Sequence, residues 1–353
     1  MNLDDLAHFK RSDPAAMLGH IDRLPAQVEA AWELGQALEV RESHARAETI
    51  VICGMGGSAI GASLLAALAA PECRAPILVH RDYGLPAYIA GEKCLVIGSS
   101  FSGHTEETLN AFETAASRGT QLLAITRGGR LAELARQHNA PTWSFEYQSQ
   151  PRAGVGYGFI LPLALLCRLG FLSDKSADLA EAVGVMREQQ AILHADVPVV
   201  RNPAKRMAGQ LMDRFVAVFG SGYLAPVAQR WKGQINENAK AWGQYEALPE
   251  LDHNSVVGTS YPESLIGKFI VLFLRGASSH PRNAARLSAT QELYMTQGFN
   301  TDVVEARGRS PLAQMLTCLH YGDYASYYLA MAYGVDPTPV ELIERLKAQL
   351  AVT

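Results

Sequence analysis

Three hydroxyls crowd one short stretch: Ser100, Ser102 and Thr105, grouped around Gly103 in Ser99-Ser100-Phe101-Ser102-Gly103-His104-Thr105-Glu106-Glu107-Thr108. The stretch follows an apolar run, Cys94–Ile97, and precedes an amphipathic segment carrying Leu109 and Phe112. Hydroxyl donors beside the free amides of a helix N-terminus suit a phosphate dianion without requiring Lys or Arg. Capping is the ordinary use of Ser and Thr, and Glu106 and Glu107 favour a first helical turn. One cap needs one hydroxyl, and this loop has three. A second phosphate-competent turn, Gly54-Met55-Gly56-Gly57-Ser58, follows the strand-like Thr49–Cys53. Its glycines allow a tight turn and close backbone approach to an anion at the next helix. Gly54-x-Gly56-x-x-Ala59 also meets a loose dinucleotide fingerprint, so a nucleotide and a plain strand–helix turn stay open beside a phosphate. A similar turn recurs at Gly220-Ser221-Gly222.

Other residues offer charge and proton transfer. In Pro151-Arg152-Ala153-Gly154-Val155-Gly156-Tyr157 an arginine among glycines could neutralise an oxyanion in a cleft, although a surface arginine in a loop is the commoner case. In Asn236-Glu237-Asn238-Ala239-Lys240, Glu237 falls opposite a helical face made by Leu224, Ala228, Trp231, Ile235 and Trp242. Glu237 is therefore either solvated or turned to a cleft, where a partly buried carboxylate makes a general base. His253, in Leu248-Pro249-Glu250-Leu251-Asp252-His253-Asn254, sits in a polar loop where a lone histidine is usually bland. The ten histidines are dispersed, with no HExxH, HxH or Cys/His cluster, so no metal site is expected. GxSxG is absent, which argues against a serine hydrolase.

The elements that must position these groups alternate. Thr49–Cys53, Ile77–His80, Cys94–Ile97, Leu122–Thr126 and Thr142–Phe145 are short apolar runs suited to buried parallel strands, separated by helical patterns over Ser58–Ala70, Glu106–Arg118 and Gly129–Gln137. After a helical bridge the alternation restarts with Phe215–Phe219, a helix from Leu224 to Trp242, Phe269–Leu274, a helix over Ala284–Gln297, and Thr301–Val304. Before the first strand, Asp13-Pro14 reads as a cap and first helical residue; near the end, Thr338-Pro339-Val340-Glu341 reads as a capping box. The expected fold is α/β: two doubly wound, flavodoxin-like subdomains with parallel sheets, a helical bridge and C-terminal helices. Expected boundaries are 1–150, 151–207 and 208–353. Two such halves leave a cleft in which a phosphorylated small molecule could react.

Composition narrows the class. The 353 residues are 48% hydrophobic and 19% charged, and the formal charge of −4 shows no basic excess, which argues against nucleic acid or an anionic membrane as partner. Five scattered cysteines without CxxC spacing read as thiols in a reducing cytosol. The start, Met1-Asn2-Leu3-Asp4-Asp5, is no signal peptide, and the apolar Phe159–Cys167 is too short to span a bilayer and reads as a buried helix. A cytoplasmic location is expected.

Taken together, these segments resemble the sugar isomerase (SIS) superfamily, and in particular its bifunctional phosphoglucose/phosphomannose isomerase family. The likeness covers nearly the whole chain. It runs from Ile21-Asp22-Arg23-Leu24-Pro25 and Ala31-Trp32 through both phosphate-type turns to Pro151-Arg152, Gly156-Tyr157, Asn236-Glu237-Asn238, Leu248–Leu251, His253-Asn254 and Gly334-Val335-Asp336-Pro337-Thr338-Pro339. The resemblance implies aldose–ketose isomerisation of glucose 6-phosphate, and of mannose 6-phosphate, with fructose 6-phosphate through a cis-enediolate, without metal or cofactor. It also implies a homodimer with shared active sites. On the matching positions Gly56, Gly57, Ser58, Ser100, Ser102 and Thr105 would hold the phosphate. Glu237 would be the base between C1 and C2, and Arg152 would stabilise the enediolate. His253 would assist ring opening in a neighbouring subunit's site, with Lys347 on the final helix as the second ring-opening group. His104 and Phe101 depart from the family's usual asparagine and tyrosine and bear on substrate preference.

Three other readings compete. A non-catalytic sugar-phosphate-binding regulator on the same fold would not need Glu237, Arg152 and His253 together. An isomerase of another sugar phosphate would keep all of them. A nicotinamide-dependent dehydrogenase rests on Gly54-x-Gly56-x-x-Ala59 alone and is weakened by the hydroxyls crowding the next loop.

Overall fold

A computed structural model describes residues 2–350. Helices α1 (Leu6–Ser12), α2 (Met17–Asp22) and α3 (Leu24–Ala37) precede the first strand. Asp13 does cap, accepting from the amides of Met17 and Leu18 at 2.8 and 3.0 Å, but α2 starts at Met17 and Pro14 lies outside it. The first alternation gives β1 (Thr49–Cys53), α4 (Gly56–Ala69), β2 (Ile77–His80), β3 (Cys94–Ser100), α5 (Glu106–Ser117), β4 (Gln121–Thr126), α6 (Gly129–Gln137) and β5 (Thr142–Ser144). Every pairing is parallel and the order is β2-β1-β3-β4-β5, the flavodoxin-like winding expected from sequence.

Next come α7 (Val155–Arg168), α8 (Ser176–Leu193) and α9 (Pro203–Leu211). Pro203, read as a break, is the first residue of α9, capped by Asn202 through the amides of Ala204 and Lys205 at 3.0 and 3.1 Å. The second alternation is β6 (Phe215–Ser221), α10 (Ala225–Ala239), β7 (Gly243–Leu248), α11 (Glu263–Ile266), β8 (Phe269–Arg275), α12 (Pro281–Thr296) and β9 (Asn300–Glu305). Its sheet is parallel in the order β7-β6-β8-β9. Helices α13 (Pro311–Tyr333) and α14 (Glu341–Leu350) follow. The expected capping box at Thr338-Pro339 lies ahead of α14, whose first bonds run from the Ile343 and Glu344 amides to the Val340 carbonyl.

Contacts divide the chain into two compact units. One comprises Arg23–Arg187 and Arg307–Leu316; the other comprises residues through Asp22, Glu188–Ala306 and those from Thr317 on. The divide falls within α8 and α13, so the units do not follow the linear limits 1–150, 151–207 and 208–353.

In the first unit α7 is the core helix, apolar on every side and packed on α3 and α4. Small residues make that packing possible. A Cβ on Gly61 would stand 2.4 Å from the Gly158 carbonyl, and one on Gly35 would stand 2.5 Å from Ala164 Cβ. Each fully buried Leu or Ile contributes roughly 1.5–3 kcal/mol, and α7 alone buries Ile160, Leu161, Leu163, Leu165 and Leu166. In the second unit Phe219, Leu251, Val271, Phe273, Leu287 and Tyr294 form the core over the sheet.

Candidate active site

The order of the first sheet reverses direction between β1 and β3, where Cys53 pairs with Gly98. Loops leaving these two strands flank the switch point, where open α/β sheets bind ligands. They touch: a Cβ on Gly54 would lie 2.9 Å from the Ser99 carbonyl, and Ser58 Oγ accepts from the Phe101 amide at 3.3 Å. Ser100 Oγ, buried, accepts from the Gly103 amide at 3.1 Å and shares a 2.8 Å hydrogen bond with Thr105 Oγ1. Ser102 is exposed and accepts from the His104 amide at 3.2 Å.

The simple capping alternative does not describe this loop. Thr105 is the N-cap of α5 yet makes no capping bond with its side chain, and Met55 before α4 makes none either. Two helix N-termini thus begin beside three hydroxyls, with their amides left to a ligand or solvent. Gly103, at φ +72°, carries the turn because a Cβ would stand 1.9 Å from the Gly128 carbonyl. Phe101 turns inward and is buried, its ring against Gly154 with the Arg127 guanidinium 5.0 Å above. His104 is exposed and leans over Gly129.

Arg152 is not a surface residue. It is 3% exposed, in a 3-10 turn over Pro151–Gly154 laid against the start of α4. A Cβ on Gly57 would meet the Pro151 carbonyl at 2.7 Å and the Arg152 amide at 3.2 Å, so only glycine admits this turn. A small pocket here is lined by Gly57, Ser58, Ser99, Phe101, Phe145 and Pro151. Gln27 of α3 holds the turn, donating to the Ala153 carbonyl at 2.9 Å and accepting from the Gly156 amide at 2.7 Å. Sequence reasoning missed Gln27. The available signal was a polar residue on the buried stripe of Leu24, Val28 and Ala31. The structure therefore brings Gly56, Gly57, Ser58, Ser100, Ser102, Thr105 and Arg152 together in one unit.

Glu237 belongs to the other unit. Helix α10 buries Val227, Ala228, Trp231, Ile235 and Ala239 and ends at Ala239. Trp242, expected on that face, lies beyond the helix and is 63% exposed, because Lys240 at φ +55° has already turned the chain. The phase of α10 on α13 is fixed by three bonded side chains. Arg230 donates to both carboxylate oxygens of buried Asp323 at 3.2 and 2.9 Å. Trp231 Nε1 donates to the Cys318 carbonyl at 3.0 Å, and Asn238 Nδ2 donates to Ser326 Oγ at 3.0 Å. With Asn238 fully buried, its neighbour Glu237 is left half-buried. It lines a cavity of about 700 Å³ with Asn236, Lys240, Trp242, Asp336 and Ile343. Of the two open readings, the side chain faces a cavity.

His253 is exposed in a 3-10 turn, Glu250–His253, just after β7. Glu237 comes just before β7. Six strand residues at about 3.3 Å each span about 20 Å, so one chain holds Glu237 and His253 at opposite ends of this strand. Lys347 lies on α14, whose described residues are all exposed, including the apolar Leu342, Ile343, Leu346 and Leu350. Among the described residues no group of three or more His, Cys, Asp or Glu could hold a metal ion, and no helix is long and apolar enough to cross a membrane.

Comparison with known proteins was made against this geometry. Residues 200–350 match the family model of the bacterial phospho-glucose isomerase C-terminal SIS domain. The chain is 38% identical to a bifunctional phosphoglucose/phosphomannose isomerase of Caldicellulosiruptor bescii, over 95% of this chain and 99% of that protein. It is 35% identical to a protein of the same name from Aquifex aeolicus, over 85% of this chain and 90% of that one. Among solved structures, a hypothetical protein of Thermus thermophilus superposes with a TM-score of 0.75 at 18% identity, covering 99% of this chain and 94% of the other, a likeness of fold alone.

Proposed function

The chain belongs to the bifunctional phosphoglucose/phosphomannose isomerase family, and we propose that it interconverts glucose 6-phosphate and mannose 6-phosphate with fructose 6-phosphate. The observation that carries this reading is the division of labour already described. One unit holds hydroxyls, two uncapped helix N-termini and a buried arginine; the other holds a carboxylate lining a cavity. Gly56, Gly57, Ser58, Ser100, Ser102 and Thr105 bind the phosphate, a remote handle whose binding energy orients the sugar. Glu237 removes the proton from C2 of the open-chain aldose and returns it to C1. Arg152 neutralises the enediolate oxygen as charge develops there. Ring opening falls to His253 and Lys347.

Replacing Glu237 by Gln keeps size and hydrogen bonding but removes the base. Ketose formation should fall by roughly 10³-fold, in the range for loss of a general base, while calorimetric binding of fructose 6-phosphate persists. Near-normal turnover by this variant would sink the assignment. A wild-type chain that binds the sugar phosphate without turning it over is instead a binding module. Turnover is expected to be indifferent to a chelator.

We assign a homodimer as the working form, because Glu237 and His253 lie at opposite ends of β7 and one chain's histidine serves another chain's base. Mixing inactive Glu237→Gln and His253→Ala chains under exchange should restore about a quarter of wild-type activity, from dimers in which one site keeps both groups. No recovery in exchanged mixtures would put His253 in its own chain's site or outside the chemistry. The free thiols, with Cys53, Cys94 and Cys318 buried, suit a reducing compartment such as the cytoplasm.

A further inference from the structure

Lys240 stands where a helix that must reverse usually has glycine. Its φ of +55° is the left-handed region, costly for any residue with a Cβ. Such an outlier persists only where the surroundings demand it. Here the amides of Lys240 and Ala241 both fold back on the Ile235 carbonyl, the second at 3.3 Å. The Glu237 and Asn238 carbonyls fall in the final turn, where no further helix supplies donors. The Lys240 ammonium supplies them, donating to the Glu237 carbonyl at 2.7 Å and the Asn238 carbonyl at 3.5 Å. It also donates to the Pro337 carbonyl at 3.3 Å, in the linker between α13 and α14. Glycine would relieve the backbone but could make none of these bonds.

We propose that Lys240 is a positioning residue for the isomerisation, pinning the turn that presents Glu237 and tying it to the root of the helix that carries Lys347. This rests on Glu237 being the base. Two neighbours complete the holder. Asn236 Nδ2 donates to the Ala241 carbonyl at 2.9 Å, and Asn238 is fixed on Ser326. Lys240 differs from both because it alone reaches the 334–340 linker. Glu237, Lys240, Asp336 and Ile343 line one cavity, so a shift of the linker changes the surroundings of the base directly.

The test uses Lys240→Gly and Lys240→Arg in the full chain. Glycine adopts the left-handed conformation without strain, so Tm of Lys240→Gly should equal or exceed that of the wild type. Its kcat should nonetheless fall about tenfold with KM within about twofold, as for a misplaced catalytic group. Lys240→Arg, which still reaches the carbonyls, should recover most of that loss. Wild-type kcat in Lys240→Gly overturns the proposal, and so does a loss of kcat that only follows a lowered Tm. If Glu237→Gln is inactive and Lys240→Gly is normal, only the role of Lys240 falls. If Glu237→Gln turns over normally, the reading of Glu237 as base falls first.

Discussion

The turns after β1 and β6 are the same piece of backbone put to different uses. Each follows the strand at which its sheet reverses order. Met55 and Ser221 enter with nearly equal dihedrals, φ −124° and ψ 160° against φ −129° and ψ 148°, and Gly56 and Gly222 follow at φ +49° and +52°. The next two positions diverge. The first turn has Gly57, which admits the Arg152 turn, and Ser58, whose hydroxyl reaches the neighbouring loop. The second has Tyr223, half-buried with its hydroxyl bonded by Ser278 and Ser279 of the loop after β8, and Leu224, fully buried. The helices started by the adjacent loops differ likewise. Thr105 leaves α5 without a side-chain cap, whereas His280 caps α12 through the Arg282 amide at 3.2 Å. Strand order and turn conformation recur in both halves. What makes one a ligand cradle and the other a scaffold is whether its polar groups are spent on each other.

The sharpest way to break this comparison is a methyl group at one glycine of each turn. In Gly57→Ala the new Cβ meets backbone on both Pro151 and Arg152, so the arginine turn must move away from the cradle. A displacement near 1 Å costs on the order of 100-fold in kcat/KM. In Gly222→Ala nothing lies within 4 Å of the methyl, and the change is strained only by its positive φ, at about 1 kcal/mol of stability. Its kcat/KM should stay within about twofold of wild type. A coupled assay and a denaturant titration on both variants decide the matter. Comparable losses of activity at the two positions would erase the distinction.

How much of this was legible in the letters follows the same division. The hydroxyl loop could be read because its parts are neighbours in sequence, and β1, β2 and α6 have the termini that apolar runs and turn residues predict. Strand β7 was missed because Gly-Gln-Tyr-Glu-Ala-Leu has no apolar run. It is an edge strand with Gln244 and Tyr245 exposed, and edge strands need not look buried. Helix α10 was read three residues too long because Trp242 continues the helical spacing. What stops the helix is the left-handed Lys240, held by carbonyls that include one from residue 337. The burial of Arg152 was equally illegible, since its support comes from Gln27, more than a hundred residues away. Local spacing reports which groups could do chemistry; long-range contacts decide which way they face.

A smaller effect tests the scaffold side of the comparison. Tyr223→Phe keeps the ring and its packing and removes the hydroxyl that Ser278 and Ser279 bond. The two serines are left with rotatable hydroxyls that can turn to solvent, so the loss is about 1 kcal/mol, the ordinary net worth of a hydrogen bond. That corresponds to a fall in Tm of about 2–4 °C for a protein of this size, with kcat/KM within about twofold of wild type. The comparison requires that pairing. If Tyr223→Phe instead kept its Tm and lost tenfold in kcat/KM, the tyrosine would be contacting substrate and the second turn would be a binding element. The two halves would then share the anchoring that the uncapped α5 and the hydroxyl-rich loop assign to the first.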